Sequence, residues 1–439
     1  MKNRFWLRIG MIFFLLITSA GLLMAGGGQE KKVGAAAITI WGWPAADKAF
    51  EAIYPGFQAK YPTIKVSWEM TQGLQMFRDK LVAAIAAGTG APDITMIEVN
   101  HIDGFVIFGG MEDLLKPPYN AGKYKKDFVA YKWRQASTQD GKKLIAFPWD
   151  IGPATVFYRR DLLSNAGLAS NPESVEAALK TWEGYFTLGA KVNNPAKNVF
   201  WTDSASTIPY IYFSHKNFFD KDLNVAVDNP KTRQVLAMAK KVRNSGMDMK
   251  VNIWSEEWYA ALNNGNIATS IVGCWFGGFL KSWIAKETAG KWGIVPVPED
   301  SLQNWGGSFL AILEQCKQKE AAWKFIEYSM ATSETQNLIF KTVDYFPAYK
   351  PAWTDPMYDE GDPFFAGQKT RRMWANIANS QGPFVTTALD AAAEAAFTAE
   401  VAKFLDQDLG VEETVAAIVR EIEKQTAEDK KALLEALKK

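Results

Sequence analysis

The chain has 439 residues, with 49 Lys and Arg against 48 Asp and Glu spread evenly along it, for a net charge of +1. That balance argues against nucleic acid or an anionic lipid surface as partner. Two His and two Cys, with no Cys-x-x-Cys, argue against a structural metal site, and no cofactor is expected.

Residues 1–25 read as an export signal. Lys2, Arg4 and Arg8 precede an apolar run, Ile9–Ala20, and small residues follow at Ala25-Gly26. The run is shorter than the ~20 residues of a spanning helix, although an uncleaved anchor is the alternative. Residues 26–37 are small and polar, as in a flexible leader. The roughly 410 residues that remain exceed what one core organises, so two domains are expected.

From there strand and helix signals alternate. Ile38–Trp43 and Ile64–Met70 read as strands around a helix from Ala45 to Tyr61. Phe77–Ala87 reads as a helix ended by Gly88, and Asp93–Val99 as a third strand. This β-α-β-α-β order predicts a doubly wound α/β sheet, with ligands beyond the strands' carboxyl ends. Those ends fall near Trp41–Pro44, Thr71–Gly73 and Glu98–His101.

An extended run with Pro148 and Pro153 reads as a first crossing between domains. Thr181 is the expected cap of a helix, and further helices read at 231–246 and 254–264. Ile267–Trp275 and Ser308–Leu313 read as strands. GIVPVP at 293–298 reads as a second crossing, and the aromatic, Pro-rich 344–363 as an ordered connection holding a third. The C-terminal part reads as helical, broken by Gly410. Cys274 and Cys316 fall at unlike positions and are expected as separate thiols.

The 17 tryptophans carry the strongest functional signal. Trp41, Trp43, Trp275 and Trp305 stand at strand ends beside Gly, Pro or Asn. An indole with one open face is a platform for the apolar C–H face of a sugar ring. On a strand Trp41 and Trp43 alternate, so one faces core and the other cleft, with Trp43 favoured for the cleft. Trp305 stands before Gly306 and Gly307, where backbone approaches ligand or simply bends. Glu98 ends a strand as a candidate acceptor for hydroxyls, with Asn100 and His101 on the same loop and Gln72 at the next strand end. Trp149 and Asp150 lie in the first crossing. Asp203 follows Trp201 in a Ser/Thr-rich stretch, and either carboxylate serves ligand or caps a turn. Tyr345 and an Arg at 371 or 372 are weaker candidates.

The segments ITIWGW, YPTIKVSWEM, DKLVAAIAAGTGAPDITMIE, GGMEDLL, DGKKLIAFPWDIGPATVFYRRDLL, TWEGY, LNNGNIATSIVGCWFGG, KWGIVPVPED, NWGGSFLAI and EAAWKFIEYSM occur in the order seen in the family 1 extracellular solute-binding proteins of ABC importers. The chain resembles that family, which includes maltose-binding proteins, over roughly Ile38 to Pro351. The resemblance implies a two-lobe periplasmic-binding-protein fold of type II, with doubly wound sheets joined by three hinge crossings. The first lobe would take 38–151 and 298–344, and the second 152–297 and 345–439. It also implies a sugar ligand, delivery to a transmembrane permease, a periplasmic monomer, Trp275 as stacking residue and Asp203 as ligand carboxylate. Many relatives carry a lipobox Cys where this chain reads MAGGGQ, so a lipid anchor is not expected.

The competing expectation is a secreted carbohydrate-active enzyme pairing Asp150 with Glu98 or Asp203. No motif supports it. The clustered acids of a polyamine site and the tyrosine run of a ferric site do not occur either.

Overall fold

The computed structural model describes residues 35–138, 140–213, 218–382 and 387–436. The export signal and most of the leader lie outside the described residues, and Ala36 and Ala37, expected in the leader, already belong to the first strand.

Eleven strands are described, β1 (Ala36–Gly42), β2 (Ile64–Met70), β3 (Ile94–Glu98), β4 (Phe147–Pro148), β5 (Asp150–Ile151), β6 (Ala154–Arg159), β7 (Phe200–Thr202), β8 (Ile267–Gly273), β9 (Trp292–Pro296), β10 (Ser308–Ile312) and β11 (Phe346–Pro347). They form two main sheets, of order β2-β1-β3-β10-β4 and β7-β8-β6-β9. In the first, β1 runs parallel to β2 and β3, while β10 returns antiparallel between β3 and β4. In the second, β6 lies antiparallel between β8 and β9, and β7 joins parallel to β8.

Burial explains the sequence patterns. In β2 buried and outward positions alternate at first, whereas every residue of β6, β8 and β10 is buried. Such central strands read as continuous apolar runs because both faces are covered. The first lobe packs its sheet under the helices Ala46–Lys60 and Lys319–Met330. Phe50 and Phe57 of the former meet Phe325 of the latter at 5.8 and 5.1 Å. The second lobe covers one sheet face with helices Trp182–Val192, Pro230–Asn244, Asp390–Asp406 and Val411–Ala436. Each fully buried aromatic side chain stabilises its lobe by roughly 1.5–3 kcal/mol relative to exposure.

Local chemistry sets several boundaries. Thr181 accepts the Gly184 N–H at 3.1 Å and starts its helix as the sequence predicts. Ser255 accepts the Trp258 N–H at 3.2 Å, so that helix begins at Glu256 and leaves Trp254 outside it. Residues 346–358 pack partly against the Ser333–Val343 helix, where Asn337 bonds Ala352 O and accepts from Tyr358. The end of the long C-terminal helix is anchored by apolar contacts. Leu433 is buried with Leu223 and Leu389, and Ile107 of the first lobe packs on this cluster. Both cysteines are buried free thiols.

Candidate functional site

Three chain crossings join the lobes. The first runs from β4 to β6, the second from β9 to β10, and the third follows the Ser333–Val343 helix. They are bonded to one another. β5 of the first pairs antiparallel with β11 of the third. Gly152 O accepts from Trp305 N at 2.7 Å, and Gly152 N donates to Asn304 Oδ1 at 2.8 Å. Asn304 Oδ1 also accepts the Tyr131 hydroxyl at 3.0 Å, and its amide nitrogen donates to Gly306 O at 3.0 Å. These contacts build a floor between the two lobes.

The floor demands glycine. A Cβ on Gly152 would stand 1.9 Å from Trp305 O, and one on Gly273 would stand 2.5 Å from both Trp305 O and the Trp275 indole nitrogen. Gly306 and Gly307 have φ of +92° and +103°, a region only glycine adopts without cost. The Gly307 position faces Asp150 O and Lys132 Nζ, so its close approach is to the first crossing.

Aromatic rings rise from this floor. Trp275 donates its indole N–H to Trp305 O at 2.8 Å, which fixes its ring plane. Trp254 stacks on Trp275 with centroids 5.5 Å apart at 23°. Trp254 is 45% exposed and holds φ +71°, an uncommon conformation for a bulky side chain. Trp305 packs on Tyr210 at 4.7 Å. The Tyr210 hydroxyl is held well above its ordinary pKa by burial first, then by Glu394 of the same lobe and Glu98 of the other.

The sequence candidates divide in this geometry. Trp41, Trp43, Trp275 and Trp305 are all half-buried. Trp41 carries Lys80 Nζ over its ring at 3.8 Å, and Trp43 meets Phe77 edge-on at 5.7 Å. Glu98 and Asn100 sit at the end of β3, where Glu98 Oε2 accepts Asn100 N at 2.7 Å. His101 starts the next helix half-buried, and Gln72 is exposed on the loop after β2.

Four candidates are placed elsewhere. Trp149 is fully buried and stacks on Phe50 at 5.4 Å, so its faces serve the first core. Tyr345 is buried edge-on to Trp149 at 5.4 Å. Asp150 accepts the Ser308 N–H at 2.8 Å and the Ser308 hydroxyl, which ties the first crossing to β10. Asp203 accepts from Ser204 N, the hydroxyls of Thr202, Thr207 and Ser270, and the Trp258 indole, all within 3.3 Å. Those five donors occupy the carboxylate within its own lobe. Burial pushes the pKa of both aspartates up, against the bonds that favour the anion. Arg372 forms a bidentate pair with Asp359 at 3.0 and 2.8 Å, and Arg371 donates to Met357 O, so both arginines are structural.

Sequence reasoning missed Trp254, Tyr210 and Glu394. The sequence reading starts a helix at Trp254, although Ser255 is a preferred N-cap residue and puts the helix start after it. Glu394 is a lone acid in an Ala-rich helix, a weak signal, and Tyr210 carried none.

The model of the bacterial extracellular solute-binding proteins matches residues 45–366. Among curated relatives, an arabinooligosaccharide-binding protein of Bacillus subtilis (strain 168) is 24% identical over 358 residues, 78% of this chain and 80% of that protein. A lactose-binding protein of Rhizobium radiobacter is 26% identical over 417 residues, 87% and 92% of the two chains. Among solved structures, a family 1 extracellular solute-binding protein superposes with a TM-score of 0.77 at 23% identity, covering 89% of this chain and 99% of that one. An ABC-transporter-associated binding protein of B. animalis subsp. lactis Bl-04, in complex with beta-1,6-galactobiose, gives a TM-score of 0.74 at 24% identity over 90% and 98%. These superpositions establish the two-lobe fold.

Proposed function

We propose a function from a fixed premise: the chain belongs to the bacterial extracellular solute-binding proteins. It captures a sugar of two or more rings between its lobes outside the cytoplasm and hands it to the transmembrane permease of an ABC importer. The observation that carries this reading is the stacked pair Trp254 and Trp275 on the wall above the floor. Its planar, partly exposed face suits a pyranose ring, and the nearby Glu98, Tyr210 and Glu394 supply groups for hydroxyls. Relatives named for arabinooligosaccharides and lactose support the same class.

In this proposal Trp275, Trp254 and Trp305 face one side of the ligand. Trp43, Trp41, Gln72, Glu98, Asn100 and His101 approach from the other. The lobes, 38–151 with 298–344 and 152–297 with 345–439, close as a monomer about the three crossings. Closure excludes water and strengthens each polar contact. Among the described residues no helix is long and apolar enough to cross a membrane.

The enzyme reading loses two of its three candidate carboxylates and keeps Glu98. Asp150 and Asp203 are each occupied by donors of the scaffold, and a glycosidase needs two carboxyl groups flanking the bond to be cut. The curated relatives described above are binding proteins. The test is incubation with a panel of oligosaccharides while melting temperature and sugar integrity are followed together. A rise in melting temperature with intact sugar is expected, and hydrolysis would replace this reading with the enzyme one.

A further inference from the structure

We infer that the binding surface continues from Trp275 along a row of aromatic rings, Trp275, Phe279 and Trp283, and that this row takes the outer rings of a linear oligosaccharide. The inference rests on the sugar reading above and extends it from a class of ligand to a length of ligand.

The three residues stand four positions apart on one helical segment. In an α-helix a four-residue step turns 400°, so each ring drifts only about 40° from the last. The segment then widens. Ala285 N donates to Leu280 O at 3.1 Å, five residues back, as a π-type turn over Leu280–Ile284. The wider turn takes back part of that drift and keeps Trp283 in line. Ring centroids follow at 5.8 Å from Trp275 to Phe279 and at 6.1 Å from Phe279 to Trp283. Trp254 and Tyr259 flank the row. The first lies 6.1 Å from Phe279, and the second meets Trp283 edge-on at 4.7 Å.

Exposure rises along the row. Trp275 and Phe279 are half-buried, and Trp283 is 52% exposed. The exposed tryptophans among the described residues, Trp254 and Trp283, both belong to this patch. A single exposed aromatic needs no explanation, but two exposed indoles joined through three more rings make a continuous surface. Its inner end is continuous with the cleft floor, because Trp275 is bonded there to Trp305 O. A stable contact with a second protein needs about 800 Å² per partner, more than five partly buried rings present. A sugar chain needs only successive planes, one per ring, with water left free to meet its hydroxyls.

The test is calorimetric titration of the full-length exported protein with linear arabino-oligosaccharides and galacto-oligosaccharides of two to five rings. Wild type, Trp283→Ala and Trp283→Phe are compared. Wild-type affinity is expected to rise with ring number in at least one series. Trp283→Ala should lose about tenfold for the four-ring ligand while its two-ring affinity stays within about twofold, and Trp283→Phe should keep most of the increment. A length dependence that survives Trp283→Ala, or equal wild-type affinity for two and five rings, overturns the inference and leaves the sugar reading standing. If wild type binds neither series although a sugar of the panel raises its melting temperature, the inference falls alone; if no saccharide binds, the sugar reading falls with it. A change in sedimentation of Trp283→Ala with unaltered length dependence makes the row a protein contact and also overturns the inference.

Discussion

On the cleft floor Gly152, Asn304 and Asp150 are tied to neighbouring crossings by short hydrogen bonds, and a single added methyl would collide with backbone. On the wall above it Trp254 stands nearly half exposed, in a backbone conformation that bulky residues rarely hold, touching its neighbours only by ring faces and edges. The floor spends its polar groups on the scaffold, and the wall keeps its planes available. The difference teaches that polar residues between two lobes are not ligand contacts by position alone. Mutations in the two regions should separate stability from affinity.

The largest effect is expected at Gly152. Gly152→Ala forces Cβ against Trp305 O at 1.9 Å, where backbone rather than a flexible side chain must yield. The expected cost is about 3 kcal/mol, at the upper end for overpacking, with loss of closure as well. Denaturant titration checks it, and a tolerated Gly152→Ala would mean the crossings are loosely packed.

Asp203→Asn should come next. It keeps the shape but turns one acceptor oxygen into a donor amid five donors. A loss of about 1–3 kcal/mol is expected from buried groups left unmatched, with sugar affinity unchanged. Affinity that falls while the melting temperature holds would return Asp203 to the ligand.

Trp275→Ala should do the reverse. Losing the platform and its stack with Trp254 should weaken binding by roughly tenfold to hundredfold, or ~1.4–2.7 kcal/mol. The fold should persist, because the ring is only half-buried. Wild-type affinity in a folded Trp275→Ala protein would move this indole into the scaffold.

The smallest expected effect is in pH. Burial raises the Asp203 carboxyl above its ordinary 3.8 in the folded state. The folded chain therefore binds this proton more tightly than the unfolded chain. The contribution to stability is full below the unfolded value and is lost as pH rises through the folded one. Wild type should gain stability relative to Asp203→Asn as pH falls through the folded value toward 3.8. A narrowing gap in chemical denaturation would mean that the five donors outweigh desolvation.

The architecture was legible because periodicity is local. β2 begins and ends where Ile64–Met70 predicts, β10 falls within one residue of its reading, and the alternating β-α order gave the doubly wound sheet. β7 was missed because three residues, Phe200–Thr202, are too few to display a period. The half-buried tryptophans could be picked out by their Gly and Pro neighbours. Trp149 shares that local pattern, yet lies under Phe50, a contact set by a helix 99 positions earlier in the chain. The partners of Asp150 and Asp203 were hidden for the same reason. Local sequence places a carboxylate at a crossing or a turn, but which donors fold back onto it is decided by Ser308 and by Ser270 and Trp258, remote in the chain.

The most direct test of the division between floor and wall is thermal melting of Asp203→Asn and Trp275→Ala beside wild type, each with and without a saturating saccharide that raises the wild-type midpoint. A ligand that binds only the folded state adds RT ln(1 + [L]/Kd) to stability, so one experiment reads both fold and affinity. The account predicts that Asp203→Asn melts lower than wild type but keeps the full ligand-induced rise, whereas Trp275→Ala keeps the wild-type midpoint and loses most of the rise. The opposite pattern, with the rise lost in Asp203→Asn and kept in Trp275→Ala, would contradict it.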